Sequence, residues 1–392
     1  MAKSRKRQRC TSPQAPIDTA DDPTSTPRRS ARVKKIEEVQ QRAPLRKESS
    51  AASLSTPEIF DTGPWEALKA QALEVLSRYH PSKGDADAKL IATYHALLNF
   101  LPEGGREAIA RDIIKSQTDD QLFDAFRNVV TCLLIPVRAA GGKTPTIQSP
   151  FSDNQEDEMT ERTKLTKSQV RGQQFVDGCF NRDNHKCIIS RFLDEEEWEK
   201  QGEPIDVLYG QLEAAHIIPF SFGKFDKSRA SRDRASSIWA SIHRYFPSTL
   251  PTLRATTIDN LDNGFLLHKT IHNDFGRFEC AFQPTGLYDT YVFIHYKRFS
   301  LEMKQYAPHG TEITFKQAPG YEDLPLPNKE YLECHYRLAQ IFHASGMGEY
   351  IDRNIRRWDK LKEASEGSCL AEDGSSDLTT ALTVALWGTV YC

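Results

Sequence analysis

Three histidines and one asparagine stand at spacings where side chains can meet and do chemistry. His216 ends a strand-like apolar run in QLEAAHIIPF, residues 211–220, which leaves a choice between a buried strand that contains a histidine and a catalytic hairpin. Downstream, NLDNGFLLHKTIHNDFGRF (residues 260–278) places Asn260 and Asn263-Gly264 ahead of an apolar run. Asn-Gly is strong turn chemistry because both residues tolerate positive φ. His268 and His272 follow four residues apart, a spacing that on a helix puts both on one face, one turn apart. Two imidazoles so placed can share one divalent metal ion. Neither His216 nor the pair singles out a site alone; the order His, Asn, His across strand, turn and helix does.

The elements that must position these residues can be read from apolar period. Trp65, Leu68, Ala72, Leu73 and Leu76 recur at helical spacing after Pro64, which suits a first helical turn. The same period predicts helices over 90–100, 106–114 and 119–134, ending at the linker AAGGKTPTIQSP. From 166 to 296 short β-like runs (CIIS, DVLYG, YVFIHY) alternate with turns and one helical stretch, an α+β pattern. A helical hairpin is expected over 329–361, with Gly346 and Gly348 at its turn. The expected organisation is a disordered basic tail (1–56), a helical region (57–140), a linker (141–165), the α+β unit holding the histidines (166–300), a C-terminal extension with the helical hairpin (301–362) and a flexible tail (363–392).

Composition narrows the class of partner. The 392 residues carry a net charge of −3, with 39% hydrophobic and 27% charged residues, so no overall bias draws the chain to nucleic acid or membrane and any basic surface is local. KSRKRQR and RRSARVKK in the first 35 residues suit a nuclear-import signal or a phosphate-binding arm. A second basic segment, within an insertion over 223–258, includes Lys224, Lys227 and Arg229, which as a loop beside a cleft can grip a phosphate backbone. The eight cysteines are scattered with no CxxC pair, as free thiols of a reducing compartment. No apolar run approaches the ~20 residues of a membrane span. The expected location is intracellular, nuclear or cytoplasmic, away from membranes; nothing sets an oligomeric state.

Four motifs in order, RDNHKCIIS (182–190), AAHIIPF (214–220), DNGFLL (262–267) and HNDF (272–275), resemble the HNH endonuclease family, specifically the fungal HNH-domain proteins. The resemblance covers roughly residues 170–355. It implies an α+β fold with a ββα-metal core at 166–300, flanked by the N-terminal helices and the C-terminal hairpin. It also implies a metal-dependent endonuclease acting on nucleic acid, expected to be double-stranded DNA. His216 would be the general base that takes a proton from water, a task suited to an imidazole that ionises near neutrality. Asn263 would pin the loop between the strands, with Asn260 as the other claimant. His272, with His268, would hold one Mg²⁺, Mn²⁺ or Zn²⁺ ion. Two positions depart from the pattern: Ala215 stands where many members place a metal-binding Asp or His, and Gly276 where related proteins often have Asp. Ligation then falls to fewer side chains, or to Glu213 or Asp274. The alternative expectation is a catalytically impaired nucleic-acid- or protein-binding module that retains the scaffold.

Overall fold

A computed structural model of the chain describes residues 64–84, 87–139, 165, 172–225, 227 and 229–364. The basic clusters of the first 35 residues, most of the 141–165 linker and the tail beyond 364 lie outside the described residues, and the expectations placed on them with it.

The N-terminal helices are α1 (Pro64–Ser77), α2 (Leu90–Phe100), α3 (Gly105–Lys115) and α4 (Asp119–Val129). The last starts at Thr118, whose hydroxyl accepts from the Gln121 N–H, and two aspartates in its first turn face the positive end of the helix. It runs through a π turn (Val130–Leu134) into α5 (Ile135–Arg138). Pro136 explains the widening, because its ring has no N–H to donate and would clash with the carbonyl four residues back.

The central part opens with α6 (Gln173–Arg182). A minimal parallel pair follows, β1 (Leu193–Asp194) and β2 (Tyr209–Gly210), joined across α7 (Glu195–Lys200). Next come β3 (Leu212–His216), α8 (Arg229–Tyr245), β4 (Gly264–His268), α9 (Lys269–Gly276), and the strands β5 (Cys280–Pro284), β6 (Thr290–His295) and β7 (Thr311–Thr314). Strands β3 and β4 are antiparallel, in register from Leu212 opposite His268 to His216 opposite Gly264. Strands β5, β6 and β7 form a three-stranded antiparallel sheet. CIIS, read as a strand from its β-branched residues, is a turn instead; only Ile188 N–H reaches strand backbone, at Leu266 O. The insertion contains the 17-residue helix α8, which takes up its basic residues from Arg229 to Arg244, while Lys224 and Lys227 precede the helix.

The C-terminal hairpin consists of α10 (Lys329–Ser345), capped by the Asn328 side chain, and α11 (Met347–Ala364). Gly346 makes the turn in the left-handed region, φ 68°, where a side chain would be strained. The described residues thus form a mixed α+β structure. One hydrophobic core runs from Ala72 to Ile351 and takes residues from the N-terminal helices, the central strands and the hairpin alike. Helix α10 lies against both α2 and β5. The ion pair of Arg244 with Asp112, at 2.5 Å, ties α8 to α3.

Candidate active site

The pair β3 and β4, followed without a break by α9, brings the singled-out residues to one cleft of about 850 Å³, into which His216, Glu213 and His272 face along with Lys224, Lys269 and Arg277. An α+β framework around it fixes the strand ends. Arg182, fully buried, donates to the carbonyls of Leu261, Gly264 and Pro325 and pairs with Asp183. Asp183 in turn accepts from the Leu266 N–H at 2.7 Å. A buried guanidinium carries five donors in a fixed fork, so one residue can stitch the loop and the strand together. That is the physical content of the RD dipeptide.

His216 closes β3 with its imidazole held on three sides. Phe175 of α6 stacks on it, ring centroids 3.9 Å apart and planes 8° apart, and Phe220 lies 5.3 Å away. Its Nε2 is 2.9 Å from Oδ1 of Asp259. The other carboxylate oxygen of Asp259 accepts from the Gly172 N–H at 2.6 Å. An ionised carboxylate only accepts, so against one Nε2 would be the N–H of the neutral ring and Nδ1 would carry its lone pair. Asp259 is not among the residues that sequence reasoning named; it sits 43 positions from its partner, and no local pattern announces it.

Asn263 is fully buried. Its Oδ1 accepts from the Ile218 N–H at 2.9 Å, and its Nδ2 donates to the carbonyls of Ile218 and Ile258 at 3.0 and 2.8 Å. The amide therefore staples the chain after His216 to the segment that carries Asp259. Asn260, the other claimant, is exposed. The Asn-Gly pair does not turn through positive φ: Asn263 ends a 3-10 turn and Gly264 is extended, φ −165°. Space is what requires the glycine, since a Cβ there would lie 2.3 Å from Phe175 Cζ.

His272, in α9, points Nδ1 at Oε2 of Glu213 in β3, 2.7 Å away. Ala215, two residues along on the same side of the strand, is fully buried and offers no donor to the cleft. His268 is not on the helix. It is the last residue of β4 and the N-cap of α9, and its Nδ1 accepts from the Thr270 N–H at 3.3 Å. Its ring packs on Phe192 and against Gly210, and burial lowers its pKa. The i, i+4 pair thus fails because the first histidine falls before the helix begins. Asp274 is 2% exposed and accepts from the Ser300 N–H at 2.9 Å, facing the interior rather than the cleft.

Among the described residues no group of three or more His, Cys, Asp or Glu is arranged to hold a metal ion. Apart from His216, which bonds Asp259, the donor set at the cleft is the His272 imidazole and the Glu213 carboxylate. That does not suit a closed four-ligand zinc site, but it fits a hard cation that keeps water and takes substrate phosphate oxygens.

Of the basic residues read from sequence, Lys224 lines the cleft, its Nζ 5.2 Å over the Phe220 ring. Lys227 is exposed, and Arg229 opens α8, where it pairs with Asp233 at 3.5 Å; neither lines the cleft. Lys269 and Arg277, unnoticed in the sequence, do.

The end of α9 is held from outside. His335 of α10 donates to Phe275 O at 3.0 Å, His343 to Phe278 O at 2.8 Å, and Arg138 of α5 to Arg277 O. Arg138 is itself paired with Asp352 of α11 at 2.7 Å. These donors reach carbonyls at and just beyond the helix end, and Phe275 O also accepts from the Phe278 N–H. His335 lies between the rings of Phe275 and Phe278, at 3.7 and 4.4 Å, and burial pushes its pKa down to about 3.

Residues 187–283, which include His216, Asp259, Asn263 and His272, match the family model described as HNH endonuclease. A nuclease-type function is what this match suggests. No curated protein and no solved structure matches the chain.

Proposed function

We propose that the chain is an endonuclease that hydrolyses phosphodiester bonds in double-stranded DNA. The observation that carries the reading is the convergence of His216 and His272, each bonded to a carboxylate, on one cleft edged by Lys224, Lys269 and Arg277. The hairpin β3 and β4 with α9 corresponds to the ββα-metal core, and the family match over the same segment supports it.

In this reading Nδ1 of His216 takes a proton from a water molecule as its oxygen attacks phosphorus. The P–O bond to the leaving oxygen breaks, and that oxygen is protonated from solvent. Phe175 and Asp259 keep the ring from turning during the transfer, and Asn263 keeps the strand end that carries it in place. Glu213 accepts the Nδ1 hydrogen of His272 and so directs the Nε2 lone pair outward, the arrangement in which histidine ligates metals. His272, with Glu213 beside it, would hold a divalent cation, Mg²⁺, Mn²⁺ or Zn²⁺, which when bound stabilises negative charge on the phosphate and leaving oxygen. Lys224, Lys269 and Arg277 would contact phosphates without reading bases, so affinity would be salt-sensitive and sequence-independent. Two basic clusters in the first 35 residues make nuclear residence part of the same proposal.

One observation favours a second reading, a nucleic-acid- or protein-binding module without catalysis: the position before His216 is Ala215, buried and without a donor. Incubation of the purified chain with supercoiled plasmid and with RNA, in each cation and in chelator, separates the two. Cation-dependent nicking of the plasmid is expected. DNA binding by folded protein with no cleavage in any cation would favour the module.

A further inference from the structure

We infer that Asp259 is a positioning residue for His216: it fixes the imidazole as the Nε2–H tautomer and raises its basicity. The inference rests on the nuclease reading for its use, but its geometry stands apart from it. The carboxylate is bound at both oxygens, to His216 Nε2 at 2.9 Å and to the Gly172 N–H at the start of α6 at 2.6 Å. A helix N-terminus favours an ionised carboxylate. Asp259 thereby has one oxygen committed to the ring and the other to the start of α6. The side chain of Asp259 is 17% exposed and that of His216 8%, so water screens the pair little. Phe175, stacked on the ring, also sits in the helix whose first turn anchors Asp259, so α6 sets both the plane of the imidazole and the position of its partner.

The consequence is chemical. With Nε2–H donated to a carboxylate, the lone pair is confined to Nδ1 and the imidazolium formed on proton uptake is stabilised by the adjacent negative charge. Other charged or titratable groups line the same cleft: Lys224 over Phe220, Glu213 on β3, His272 on α9, and Lys269 and Arg277.

The test is ¹⁵N NMR of the full chain labelled at histidine nitrogens, with the His216 signals assigned by their loss in His216→Gln. In the wild-type chain the neutral ring is expected as the Nε2–H form. In Asp259→Asn the shifts are expected to move toward the Nδ1–H form, and the apparent pKa of His216 to fall by about 1 unit or more. A wild-type Nδ1–H tautomer would overturn the inference without any variant, which decides the matter even if Asp259→Asn does not fold. Unchanged shifts and unchanged titration in a folded Asp259→Asn would overturn it equally. If the protein cleaves no nucleic acid while both NMR expectations hold, the pair stands and the nuclease reading alone falls. If cleavage is observed, Asp259→Asn is expected to lower kcat by about 100-fold with little change in KM.

Discussion

Phe175 occupies the space that a side chain at position 264 would need: its Cζ would lie 2.3 Å from a Cβ built on Gly264, and the same ring stacks on His216 at 3.9 Å. The glycine therefore sets the position of the candidate base through an intervening aromatic ring. Gly264→Ala is expected to displace Phe175, destabilise the fold by roughly 1–3 kcal/mol and slow cleavage on the order of 100-fold. Urea unfolding with single-turnover cleavage of plasmid checks both; a variant of unchanged rate would show that the stack does not hold the ring in its working position.

Asn263 satisfies three buried backbone groups, so Asn263→Ala leaves the Ile218 N–H and the carbonyls of Ile218 and Ile258 without their partner. A loss of at least about 3 kcal/mol in unfolding free energy is expected. Asn260→Ala, at an exposed position, is expected to change stability by less than about 0.5 kcal/mol. Equal losses in the two variants would reassign the staple.

Glu213 and His272 act as a unit at 2.7 Å. Glu213→Ala is expected to weaken divalent-cation affinity about 10- to 100-fold, His272→Ala at least as much, and His268→Ala little, because His268 is turned toward Phe192 and Gly210. Calorimetric titration of Mn²⁺ into each variant reads the order directly. Loss of affinity only in His268→Ala would put the ion on the other side of the strand pair.

His335 gives the protein a pH dependence of known sign. Burial lowers its pKa from 6.5 to about 3, so between those values the unfolded chain binds a proton that the folded chain refuses. Stability from this group is complete above pH 6.5 and is lost by up to about 1.4 kcal/mol per unit as pH falls toward 3. His335→Phe, which keeps an aromatic ring between Phe275 and Phe278, is expected to remove that share of the slope. Urea midpoints at pH 7.5 and 5.5 for both proteins test it, and parallel losses would assign the acid sensitivity to other groups.

What the sequence makes legible follows the range of the interactions involved. Helices α1 to α4 and the terminal hairpin declare themselves because an apolar period over ten or more residues is a local signal, and Gly346 marks the turn for a local reason. The order of His216, Asn263 and His272 is equally visible. Asp259, Lys269, Arg277, His335 and His343 are not, because each acts on a partner or cleft assembled by folding, and an isolated Asp or His in a loop or on a helix looks like any other. The i, i+4 pair misleads for a related reason: His268 has helical spacing to His272 but strand geometry, since β4 runs into α9 at that residue. CIIS fails as a strand because two β-branched residues between a cysteine and a serine suit a buried turn as well as a ladder. Glu213 is legible as the alternative ligand to Ala215, two positions away on the same strand, whereas Asp274, the other alternative, faces the interior.

The most direct test of the account is the single-turnover rate of supercoiled plasmid cleavage by His216→Ala beside the wild-type chain, in the cation that supports the fastest cleavage. General-base removal predicts a rate lower by about 100-fold or more, with unfolding free energy and Mn²⁺ affinity near those of the wild type. Cleavage by a folded His216→Ala protein at the wild-type rate would contradict the assignment of His216 as the group that activates water.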